Sequence, residues 1–150
     1  MELSLFEEVA EVARGLVPRK LGVLRARCTK WSAKVWFDTD VPTKLHYEAQ
    51  VVGPRWVVGA KVLALEIGFH AEHPKEAANE AALERLLARE RTWRKALGAE
   101  AEAGVFLGRA GNWRRVSETW PDPDLGEPGL AIEVGTRLTD YVCALEPLLH

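Results

Sequence analysis

Two stretches decide the fold: KLHYEAQVV (residues 44–52) and KVLALEIGFHA (residues 61–71). Each alternates apolar with polar residues at a period of two, the spacing of a strand that buries one face. Leu45, Tyr47, Ala49 and Val51 in the first, and Leu63, Leu65, Ile67 and Phe69 in the second, mark the side turned toward a core. The opposite side carries Lys44, His46, Glu48 and Gln50, then Glu66, Gly68, His70 and Glu72. The segment GPRWVVGA (residues 53–60) between them is too short for the crossover that parallel strands need, so the pair is antiparallel. Trp56 to Val58 are expected to extend the later strand through a bulge at Gly59.

Working outward, VLRARC (23–28) and AKVWFD (33–38) show the same alternation and turn-rich connections, which predicts a meander of four strands. Carrying the face rule back adds Arg25 and Arg27 from the first strand, and Lys34, Trp36 and Asp38 from the second, to the His46 side. A turn centred on Asp40 to Pro42 sets Lys34 across from Glu48 and Trp36 across from His46. Before the strands, Ser4 and Glu7 fit a capping box, and the apolar spacing that follows predicts a helix over 5–15, with Gly15 as its cap and Pro18 as a stop. After them, HPKEAANEAALERLLARERTWRKALG (73–98) reads as one long helix, with Pro74 in the first turn and Gly98 at the end. A fifth strand is expected around Val105 to Arg109 and a sixth around Trp113 to Ser117, joined at Gly111-Asn112. Ala131, Val134, Leu138, Val142 and Leu145 mark a last helix that Pro147 ends. The expected architecture is a single α+β domain over residues 1–150. It is an antiparallel meander of four to six strands with helices packed on one face, in the order α-ββββ-α-β(β)-α.

The composition suits that architecture. With 150 residues, 47% of them apolar, the chain can bury a sizeable core. A net charge of -2 offers no bulk attraction to nucleic acid or to an anionic membrane, so nucleic acid is not an expected partner. No apolar run approaches the ~20 residues a membrane helix requires. Acidic residues stand in MELSLFEEVAEVARG where a secretory signal needs bases. Together with only two, widely separated cysteines, this predicts a cytoplasmic protein with free thiols. Phosphate-binding glycine loops, G-x-S-x-G elbows and C-x-x-C pairs are absent from the sequence.

The functional question falls on the polar side of the sheet. Taken blandly, it is a solvated face on which opposite charges pair across strands. A tryptophan flanked by Arg, His and Glu points instead to a covered surface. The expected function is therefore a small binding or interaction domain that uses this face and self-associates as a homodimer. Trp36 would be its anchor, with Arg25, Arg27, His46, Glu48, Glu66 and His70 around it. No cofactor is required by that reading. A metal reading takes His46 and His70 as ligands together with Glu48 or Glu66, a donor set suited to zinc or a related ion.

The order helix, strands, helix, strand resembles the common core of the PD-(D/E)xK nucleases over residues 5–109. The resemblance implies a Mg²⁺-dependent enzyme in which Asp38 is the first acid, Glu48 the second and Gln50 occupies the position of the lysine. Glu7, Glu8 or Glu11 would supply a helical acid.

Overall fold

The computed structural model describes residues 2–37, 44–107 and 110–150. The first helix, α1 (Leu5–Leu16), opens with the capping box: the Glu7 amide donates to Ser4 Oγ and the Ser4 amide to the Glu7 carboxylate. Phe6, Val9, Ala10 and Ala13 form its buried stripe. Gly15 lies within the last turn rather than capping it. The cap is Val17, which the following Pro18 keeps out of the helical region.

Strands β1 (Leu24–Cys28), β2 (Ser32–Phe37), β3 (Leu45–Val52) and β4 (Ala64–Ala71) form the antiparallel meander. β5 (Glu102–Phe106) and β6 (Ala110–Pro121) complete a sheet of order β1-β2-β3-β4-β6-β5. Lys34 pairs with Glu48 as expected, which places the β2–β3 register where the turn chemistry put it. His46 pairs with His70, and Gln50 with Glu66. Helices α2 (Glu76–Leu87), α3 (Glu90–Leu97) and α4 (Leu130–Leu145) fill out the architecture.

Four local expectations are corrected. The long middle helix is two: α2 stops at Leu87, and Arg89 leaves the helical conformation (φ -120, ψ 23). At the break the Leu86 carbonyl accepts both the Arg89 amide at 3.0 Å and the buried Trp93 indole N–H at 2.7 Å. The fifth strand begins at Glu102 and ends at Phe106, so its turn precedes Ala110 and does not fall at Gly111-Asn112, while the sixth strand is far longer than expected. Residues 54–56 form a 3-10 turn, with Pro54 at its start, instead of a strand extension through Gly59. The sheet's polar side, finally, is buried rather than solvated at His46, Glu48, Glu66 and His70, while Arg25 and Arg27 on β1 stay exposed.

One continuous core lies between the helices and the sheet. Tyr47, Ala49, Leu65, Ile67 and Phe69 meet Phe6 and Val9 of α1, Leu86 of α2, Trp93 of α3, and Leu138 and Val142 of α4. Helices α1 and α4 cross closely at Gly135, where a Cβ would come within 2.6 Å of the Val12 Cβ. Two buried acids are built into this side. Glu118 accepts from Arg137, Tyr141 and the Trp120 indole, and Glu146 accepts from the Tyr47 hydroxyl at 2.8 Å.

A second, smaller apolar cluster lies on the other side of the sheet. Val52 and Ala64, paired across β3 and β4, gather with Val57, Phe106 and Leu107, and Trp56 and Trp113 flank them. These residues come from the 53–60 connection and from around the β5–β6 turn. They put apolar cover over one end of a face whose strand pattern is polar. Among the described residues, no helix is long and apolar enough to cross a membrane, and Cys28 and Cys143 are free thiols.

Candidate metal centre

The registers place the polar side chains in rows across the sheet. His46, His70 and Arg115 form one row, Lys34, Glu48, Gly68 and Ser117 the next, and Gln50, Glu66 and Thr119 a third. Gly68 is needed where it stands. It has φ +155, and a Cβ there would approach Val116 O to 2.4 Å and the Ser117 Cα to 2.6 Å. The absence of a side chain lets β4 and β6 close together between Glu66 and His70.

His46, Glu66 and His70 are fully buried, and Glu48 nearly so. Phe106 sets its ring edge-on to His70 with 4.7 Å between centroids and stands against Trp113 in turn. The two imidazoles are themselves edge-to-face, 5.2 Å apart.

Four atoms converge beside this histidine pair. Glu48 Oε1 lies 3.2 Å from His46 Nε2 and 3.3 Å from His70 Nδ1. Glu72 Oε2 lies 3.4 Å from His46 Nε2 and 3.2 Å from His70 Nδ1. Each carboxylate oxygen therefore faces both rings at nearly equal distance. The four residues can each offer one ligand atom within 4.8 Å of every other. Along the strands, Glu48 enters from one side of the histidine pair and Glu72 from the other.

Of these four separations, His46 Nε2 to Glu48 Oε1 is also a hydrogen bond, and the contact next to them is shorter. His70 Nε2 lies 2.7 Å from Glu66 Oε2 and 2.9 Å from Oε1, the length of a charge-assisted hydrogen bond. Gln50 Nε2 donates to Glu66 Oε1 at 3.0 Å. By contrast His70 Nδ1, also fully buried, has both carboxylates near it but neither aligned for a hydrogen bond. A tetrahedral ion with ligand bonds of ~2.0–2.1 Å spaces its ligands about 3.3–3.4 Å apart.

The charge inventory is one-sided. Three carboxylates, Glu48, Glu66 and Glu72, surround His70. Burial alone would push the His70 imidazole down, yet the charge of Glu66, its hydrogen bond, and the nearby carboxylates of Glu48 and Glu72 hold it well above the usual histidine range. Burial would likewise raise Glu48 and Glu72, and the two histidines outweigh it, holding Glu48 well below the carboxylate range and Glu72 at about 2. The cluster is thus built to carry positive charge among its acids, a charge that protons or a cation can supply. Grouping buried ionisable side chains this densely is costly for stability compared with apolar packing.

The other sequence candidates are placed as follows. Arg25 and Arg27 are exposed on β1, with Arg25 across from Trp36 and the Arg27 guanidinium 5.9 Å over the Trp36 ring, which is half-buried. Asp38 lies outside the described residues. Across from Glu48 stands Lys34, and the Gln50 amide donates to Glu66. Glu72 was placed on the polar face by its parity but not among the ligands. The signal that finds it is a repeat: His46-Tyr47-Glu48 and His70-Ala71-Glu72 are two His-x-Glu triplets on paired strands. No family model, curated protein or solved structure matches this chain.

Proposed function

We propose that this protein binds one divalent transition-metal ion of the zinc class. The ligands are His46 through Nε2, His70 through Nδ1, and the carboxylates of Glu48 and Glu72. The observation that carries the reading is the ring of four N···O separations of 3.2–3.4 Å beside a buried, unaligned His70 Nδ1. Imidazole with carboxylate favours Zn²⁺, Co²⁺, Fe²⁺ or Mn²⁺ over Mg²⁺ or Ca²⁺, which prefer all-oxygen shells. Two ligand carboxylates balance the charge of a divalent ion, and four protein ligands make a closed site of the structural kind.

The ligating nitrogens must be unprotonated to bind, so uptake expels protons and acid opposes it. Metal-stripped protein titrated with Zn²⁺ in weakly buffered solution is expected to take up one equivalent, release protons and gain thermal stability. Cobalt substitution reports the coordination number through its visible spectrum. His46→Ala should abolish the uptake. Wild-type protein that takes up no Zn²⁺, Co²⁺, Fe²⁺ or Mn²⁺ would remove the reading.

A further inference from the structure

Resting on the metal reading, we infer that Glu66 is a positioning residue. With Gln50 behind it, it commits His70 to present Nδ1, rather than Nε2, to the metal. Surface histidines offer either nitrogen, and the choice is set by what holds the other one. Both Glu66 oxygens lie on Nε2, at 2.9 and 2.7 Å, and the carboxylate is itself fully buried. Gln50 pins the Oε1 side by donating to it at 3.0 Å, across the register pair that joins β3 to β4. The remaining nitrogen, Nδ1, is turned to Glu48 and Glu72.

The two histidines are therefore not equivalent. His46 meets the same two oxygens through Nε2. Its Nδ1 is buried with no hydrogen-bond partner among the described residues, so none of them fixes that ring from behind as Glu66 does for His70. A carboxylate behind His70 also makes its imidazole a stronger donor to the ion, since the bond to Nε2–H moves electron density into the ring. Glu66 holds the ligand while standing too far round the ring to be one.

The test uses the full chain, with Zn²⁺ as probe and ¹⁵N-histidine labelling. In Zn²⁺-loaded wild type, His70 should show a protonated Nε2 and a metal-bound Nδ1, and His46 the reverse. Glu66→Gln keeps the size and removes the charge, and is expected to weaken Zn²⁺ about 10- to 100-fold while the fold, followed by circular dichroism, is retained. Gln50→Leu leaves Glu66 in place and removes its support; it is expected to weaken Zn²⁺ by a smaller factor, and serves if the Glu66 variant fails to fold. Wild type that binds Zn²⁺ with His70 ligated through Nε2, or a folded Glu66→Gln protein that binds as tightly as wild type, overturns the positioning role and leaves the metal reading standing. Wild type that binds no metal removes both.

Discussion

Gly68→Ala tests whether close approach of β4 and β6 shapes the centre of the sheet. The added methyl would come within 2.4 Å of Val116 O and 2.6 Å of the Ser117 Cα, both backbone-anchored, so no rotamer change relieves the contact. A second glycine separates the two costs. Gly104, in β5, has φ +156 against +155 for Gly68, yet nothing lies within 4 Å of its Cβ position. Gly104→Ala thus carries the conformational penalty alone, about 1–3 kcal/mol for a backbone region that only glycine populates readily. Gly68→Ala carries that and an overpacking cost of about 1–3 kcal/mol. The difference corresponds to a further fall in Tm at about 2–4 °C per kcal/mol for a chain of this size. Urea unfolding and thermal melts of the two variants measure it directly. Should Gly68→Ala prove no more damaging than Gly104→Ala, the steric account of the β4–β6 contact fails. Because Gly68 lies between Glu66 and His70 on one face, the same variant should also loosen Zn²⁺.

Two further predictions concern the helix side. Glu118 is held below the ordinary carboxylate range because hydrogen bonds from Arg137, Trp120 and Tyr141 outweigh its burial. A folded-state pKa below the unfolded one means that its stabilisation is present above about pH 4.3 and is lost as pH falls through the folded value. Glu118→Gln should cost about 3 kcal/mol at neutral pH, the lower end for a broken buried pair, since Arg137 keeps some solvent contact. Its acid-unfolding curve should also be shallower than that of wild type, and coincident curves would contradict the assignment. Tyr47→Phe removes the hydroxyl that Glu146 accepts from. With Glu146 buried, the expected loss is about 1–3 kcal/mol in chemical denaturation, and a neutral result would mean that water takes the hydroxyl's place.

Period-two alternation in residues 44–52 and 61–71 was enough to assign each side chain to a face, and a turn centred on Asp40 to Pro42 was enough to foresee Lys34 across from Glu48. Helix α1 was equally legible, because a capping box and a buried stripe are local properties of neighbouring residues. The break at Ala88–Arg89 was not. The apolar stripe of Leu83, Leu86, Trp93 and Leu97 runs across it without interruption, so helical spacing alone gives no sign of the turn at Arg89.

The candidate centre divides along the same line. The sequence by itself determined that His46, Glu48, Glu66, His70 and Glu72 share a side of the sheet, because parity along a strand is a covalent fact of the chain. Only the tertiary structure decided that His46 and His70 are direct partners, that Glu48 and Glu72 reach the same two rings from opposite sides, and that Glu66 stands behind. It alone placed Phe106 against His70, in an apolar cluster shared with Trp56, Val57, Leu107 and Trp113. Alternation specifies which way a side chain points and is silent on what lies above it. Depth of burial, and with it the electrostatics of the cluster, comes from segments distant in sequence.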